Sequence, residues 1–184
     1  LKVLRGDFQN QKYRLEDKLL KTFPEEIQKQ KTRIAALQQD SQIAAAHPQD
    51  KENFCGMTIK GMVYDDKKAA GERLLLARQE MPNADMMLLG TYRGFELNIR
   101  FDSFKNEHQA VLLAELSYPV SLGDDARGNI TRLDNAIDNF ADRIADAENA
   151  LQNLEQQKRA AEVEVAKPFA QEEELAEKSA RLAE

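Results

Sequence analysis

The chain has 184 residues, 32% of them charged and 7% aromatic, with no Trp and a formal net charge of −6. That balance favours long solvated helices over a large compact core, and a net negative chain is a poor match for nonspecific binding to phosphate backbones, although a local basic patch is allowed. No run nears the roughly 18 apolar residues that span a bilayer and the first residues lack a signal peptide's apolar core, so a cytoplasmic protein without membrane contact is expected.

From Asp7 to about Ala46 the pattern is helical. Phe8, Leu15 and Leu19 share one face, and Ile27, Gln30, Ile34, Leu37 and Ser41 recur at three-and-four spacing. Pro24, followed by Glu25 and Glu26, suits the first turn of a new helix. This segment therefore reads as two helices broken at Thr22–Phe23 or as one kinked helix, ended near Pro48.

Between Phe54 and Leu122 the period falls to two. FCGMTIKGMVYDD reads as strand, with Gly56 and Gly61 as turn or bulge positions. Cys55, the lone cysteine, cannot close an internal disulfide and reads as a half-buried strand residue. DDKKAAGERLLLARQEM reads as a short helix capped by Asp65 or Asp66 and stopped by Pro82 and Asn83. MMLLGTY, GFELNIRFDS and HQAVLLAELSYPVSL read as three strands, joined by a tight turn at Arg93–Gly94 and a looser one at FKNE. Pro119 confines the last strand to an edge or an end.

GDDARG then leads into a helix, with Asn129 or Asp125 as its cap. From Gly128 to Val165, Ile130, Leu133, Ile137, Phe140, Ile144, Ala147, Leu151, Leu154, Lys158, Ala161 and Val165 alternate at three and four residues. That spacing predicts a coiled-coil seam about 55 Å long, in need of a partner helix. Lys167–Pro168–Phe169 breaks it, and a last amphipathic helix starts at Gln171. The expected fold class is α+β: a long antiparallel helical coiled-coil stalk with a small inserted antiparallel-sheet-plus-helix domain. Its expected parts are an N-terminal helical arm (1–50), a small α/β insert (51–123), and a long C-terminal coiled-coil helix with a terminal helix (124–184). Both ends fall in helix-like sequence, so the chain reads as a fragment of a longer polypeptide.

Taken in order, FCGMTIKGMVYDDKKAAGERL (54–74), GTYRGFELNI (90–99), GDDARGNITRLDNAI (123–137) and EVEVAKPFAQEEELAEKSARL (162–182) resemble the C-terminal region of very large SNF2-type helicase–DNA-methylase proteins of conjugative elements and phages. The resemblance runs from about Pro24 onward and implies a parent that acts on DNA. The motor and methylase motifs themselves are missing: GMTIKGM lacks the Lys and Ser or Thr of a phosphate loop, and no Asn-Pro-Pro-Tyr-type tetrapeptide occurs.

Tyr92, Arg93, Arg100 and Lys105, interleaved with Phe95, carry the aromatic and basic character that stacks on bases and meets phosphates. Arg127 and Arg132, with Asn129, stand at the start of the long helix, where free N–H groups favour anions. The plain alternatives are an apolar sheet face for Phe95 and solvated arginines beside a cap. Asp65, Asp66 and Glu72, or Asp124 and Asp125, fit no calcium loop, and His47 and His108 lie far apart, so neither metal nor cofactor is expected. The leading reading is a noncatalytic accessory or scaffold module of a large DNA-acting helicase–methylase that positions DNA or a protein partner. The alternative is a structural interaction module that recruits a protein or self-associates along the coiled coil, without DNA contact.

Overall fold

Two tight turns start the sheet. Lys60 and Gly61 join β1 (Met57–Ile59) to β2 (Met62–Tyr64), and Arg93 and Gly94 join β3 (Met87–Tyr92) to β4 (Phe95–Asp102). All four turn residues have positive φ: 49°, 80°, 46° and 81°. That backbone matches the twist of a two-residue hairpin. β5 (Glu107–Leu113) and β6 (Ser117–Ser121) complete a six-stranded antiparallel sheet of order β2-β1-β3-β4-β5-β6. The computed structural model describes residues 1–50, 52–81, 85–169 and 172–183.

The sequence from His108 to Leu122, expected as one strand, is two, because its middle is captured. Asp40 accepts from the backbone N–H groups of Glu115 (2.9 Å) and Leu116 (3.0 Å), which fixes the turn between β5 and β6. Pro119 lies on the edge strand, opposite Val111. Backbone bonds from Leu122 to His108 and from Ala114 to Leu116 mark the bonded pairs at each end of this ladder. By alternation Pro119 occupies a non-bonded pair, so its missing N–H faces outward.

Asp66 caps α3 (Lys67–Glu80) by accepting from Ala69 N at 2.9 Å, and Asp125 caps α4 (Ala126–Ile137) by accepting from Gly128 N at 3.1 Å. The expected stop of α3 at Pro82 and Asn83 lies outside the described residues. Helix α3 contacts β1 and β2, and α4 contacts β6 and α3. Leu74, Ile130, Leu133 and Ile137 are buried together with Ile59, Leu97, Ile99 and Leu112 of one sheet face. Burial of such side chains contributes about 1.5–3 kcal/mol each. The two helices approach closely at Gly71, where an added Cβ would stand 2.2 Å from the Ala126 carbonyl oxygen. Gly71→Ala is therefore expected to cost about 1–3 kcal/mol in urea unfolding, against about 1 kcal/mol gained if space were free for the better helix former.

The predicted stalk is corrected here. The chain is a mixed helix-and-sheet protein, not a long coiled coil with a small insert, and the predicted long helix ends at Ile137 and restarts as α5 (Phe140–Ala166). The physical reason is that Ile130, Leu133 and Ile137 pack in the sheet's core instead of along a partner helix, while Asp138, the last turn's cap, is drawn to Arg93. Periodicity alone cannot separate a seam from a helix that covers a sheet.

Compact units form from Ile34–Ala145 and from Leu1–Arg33 with Asp146–Glu184. In the second, α1 (Lys2–Asp17) passes through a π-helical stretch, Lys18–Thr22, into α2 (Phe23–Ala46), which resolves the expected break at Thr22–Phe23 as a local widening of the helix. After α5, Phe169 packs on Phe8 with ring centres 5.2 Å apart, and Arg5 pairs with Glu172 at 3.2 Å. The Lys167–Pro168–Phe169 break thus docks its ring on α1. The last helix is described as α6 (Glu172–Ala183), and the expected start at Gln171 lies outside the described residues.

Candidate docking interface

Buried polar groups of the sheet unit close on one another in three joints. At the first, the left-handed turn aims Arg93 inward, leaving its side chain only 2% exposed. Its Nε donates to the His47 carbonyl (2.9 Å), and its terminal nitrogens to Asp134 (3.2 Å) and Asp138 (2.7 Å). Tyr92 donates its hydroxyl to the same Asp134 oxygen at 2.5 Å. Burial, then Asp134, pushes the Tyr92 phenol well above its usual range, so it remains a donor. Burial opposes the Arg93 charge, but Asp138 and Asp134 outweigh it and its pKa rises. Burial also raises Asp134, against the donors Tyr92 and Arg93.

The second joint is Asp40, fully buried on α2, which adds the Tyr118 hydroxyl to its two backbone donors. Phe95, Tyr118 and Phe140 cluster beside it with ring centres 5.2–6.2 Å apart, and Arg143 lies over the Tyr118 ring. At the third joint, buried Asn129 makes two bonds to the Gly123 backbone, whose carbonyl also accepts from Arg78. These joints order the sheet's helix-covered side.

The six residues proposed for nucleic-acid contact are dispersed by the fold. Tyr92 and Arg93 meet at Asp134, inside the protein. Arg100 bonds Gln109 through two nitrogens, at 3.0 and 2.9 Å. Lys105 is exposed in the β4–β5 turn, and Arg127 is exposed in the first turn of α4. Arg132 donates to the Ser121 carbonyl at 3.0 Å. Cys55 is exposed and precedes β1, so its expected place in a strand is corrected; partial desolvation raises its thiol pKa.

Two features face solvent on this scaffold. One is the margin of the sheet side away from α3 and α4, where Thr91, Glu96, Ser117, Pro119 and Ser121 are exposed while Asn98, Gln109 and Val111 between them are buried. A polar ladder crosses it: Gln109 and Ser121 both donate to Glu107, which holds that carboxyl below its usual range. The other is Phe104 at the β4–β5 tip, its ring wholly in solvent. Asp102 accepts from the backbone N–H groups of Phe104 and Lys105, which fixes the tip.

Sequence reading passed over Asp40, Asp134, Asp138 and Phe104, and its placing of Asn98 with Glu96 and Arg100 on a wet strand face is corrected, since Asn98 is buried. Asp40 and Asp134 had a signal: each follows a core leucine, Leu37 or Leu133, at helical or adjacent spacing. Phe104 had one too, as an aromatic set among the polar residues of a turn. No helix of the described residues is long and apolar enough to cross a membrane, and no group of three or more metal-ligating side chains occurs among them. No family model, curated protein or solved structure matches this chain.

Proposed function

We propose that the chain is a noncatalytic accessory module that positions a protein partner within a larger DNA-acting polypeptide. The DNA context rests on the family resemblance alone. Docking is carried by one observation, the fully exposed Phe104 ring on a hairpin tip held by its own Asp102 turn. A ring in water contributes nothing to the fold, whereas its transfer to an apolar pocket contributes about 1.5–3 kcal/mol.

Charge favours protein over DNA as the contact. Residues 34–145 hold 12 Lys and Arg against 17 Asp and Glu, a net charge of −5, which opposes phosphate binding. Phe104→Ala is expected to leave unfolding free energy within about 0.5 kcal/mol of the parent chain, as for exposed sites generally. Fluorescence anisotropy with single-stranded and duplex oligonucleotides at low salt should show no saturable binding. Saturable binding abolished by Phe104→Ala or Lys105→Ala would replace this reading with base stacking at the tip. A photo-crosslinking amino acid at position 104 should give discrete protein adducts in producing cells, lost when the label is moved to exposed Asn135 on α4.

A further inference from the structure

Within the unit of Leu1–Arg33 and Asp146–Glu184, a cleft of about 350 Å³ lies between α1 and the break after α5. Its apolar lining is the Phe8–Phe169 pair with Pro168, and Tyr13, 65% exposed, borders it. Arg5 and Lys167 also line it, but each is already paired, with Glu172 at 3.2 Å and with Glu164 at 3.1 Å. Lys12 and Glu16 are not. Both are half-buried in the wall, and neither has a hydrogen-bond or ion-pair partner among the described residues.

The order of the two charges explains why they stay apart. An acid four residues before a base is the favourable arrangement on a helix, and the reverse is weaker. In this chain Glu174–Lys178 and Glu177–Arg181 close to 2.7 Å, whereas Lys68–Glu72 and Lys158–Glu162 reach only 3.9 Å. Lys12 precedes Glu16, so a cation and a carboxylate stand unmatched one helical turn apart, about 5–6 Å between Cβ atoms, beside an aromatic surface.

We infer that this cleft binds a free aromatic amino acid. The ligand's carboxylate takes Lys12, its ammonium takes Glu16, and its ring lies against Phe8 and Phe169. Charge-assisted hydrogen bonds of about 2.8 Å at each end let two groups on one carbon bridge side chains a turn apart. Ring pairing favours an aromatic over an aliphatic side chain. A residue inside a polypeptide has lost both charges to peptide bonds, so the ligand is a free amino acid and not a segment of a partner. The cleft is at the small end of ligand sites, roughly 300–1,000 Å³, and a ligand of this size binds with a dissociation constant on the order of 1 mM. Helix α1 has no fully buried residue, so a ligand held between it and Lys167–Pro168–Phe169 also tethers α1. The site is independent of docking at Phe104.

Titrating phenylalanine to about 20 mM into the isotope-labelled whole chain should shift the amide resonances of Phe8, Lys12, Tyr13 and Phe169 saturably. Leucine, hydrocinnamate and phenethylamine lack in turn the ring, the ammonium and the carboxylate, and each should bind at least ~5-fold more weakly. Lys12→Gln and Glu16→Gln, which keep good helix formers, should each weaken phenylalanine binding at least ~5-fold. Amide exchange in α1 should slow when phenylalanine is present. Phe104→Ala should leave the titration unchanged. Absence of a saturable shift, or leucine or either analogue binding as tightly as phenylalanine, would overturn the site. Circular dichroism checks the fold of each variant, and the analogue series, which uses the unaltered chain, decides the outcome if a variant fails it.

Discussion

Arg93→Ala should destabilise the chain by about 3–5 kcal/mol in urea unfolding, because it leaves a buried carboxylate without its cation. Asp134 would keep only Tyr92 as donor, Asp138 would lose its 2.7 Å partner, and the His47 carbonyl would lose a donor. The loss should also depend on pH. Burial already raises the Asp134 carboxyl above its ordinary value, so the fold binds that proton more tightly than the unfolded chain does. The corresponding stability is complete below about pH 4 and declines as pH rises through the folded value. Removing the guanidinium raises the folded value further. The deficit of Arg93→Ala should therefore be smaller near pH 5 than near pH 8, and a deficit equal at both would exclude Asp134 as its source.

Asp40→Ala should have a comparable effect, on the order of 3–5 kcal/mol, because two backbone N–H groups and the Tyr118 hydroxyl lose their acceptor at a buried site. Asp40→Asn keeps one acceptor oxygen and should recover part of the loss. Amide hydrogen exchange is the sharper measurement: Glu115 and Leu116 should pass from protected to fast exchange, ahead of the β4–β5 ladder. If their protection survives in Asp40→Ala, the β5–β6 turn does not rely on this carboxylate.

Local elements were legible where one residue type decides the backbone. The turn at Arg93–Gly94, the cap at Asp66 and the edge position of Pro119 all follow from conformational preferences within a few residues. The fold as a whole was not, because a helix laid on a sheet and a helix in a coiled coil share one apolar period. Ile130, Leu133 and Ile137 satisfy both, and the deciding contacts come from other elements, with α4 packed on α3 and β6. The Arg93 joint was hidden for the same reason: Arg93 and Asp134 are 41 residues apart, and an arginine in a hairpin turn looks identical in sequence whether it faces water or a buried acid. Phe104 was visible as a letter, but its exposure was not.

The position of Pro119 also governs what crowding does to this protein. A growing cross-β fibre needs an edge that offers a donor at each outward site, and β6 lacks one at its midpoint. The opposite edge, β2, is three residues long. Recruitment strand by strand is thus interrupted on one side and short on the other. At high concentration the chain should therefore resist growth into fibrils from either edge of its sheet.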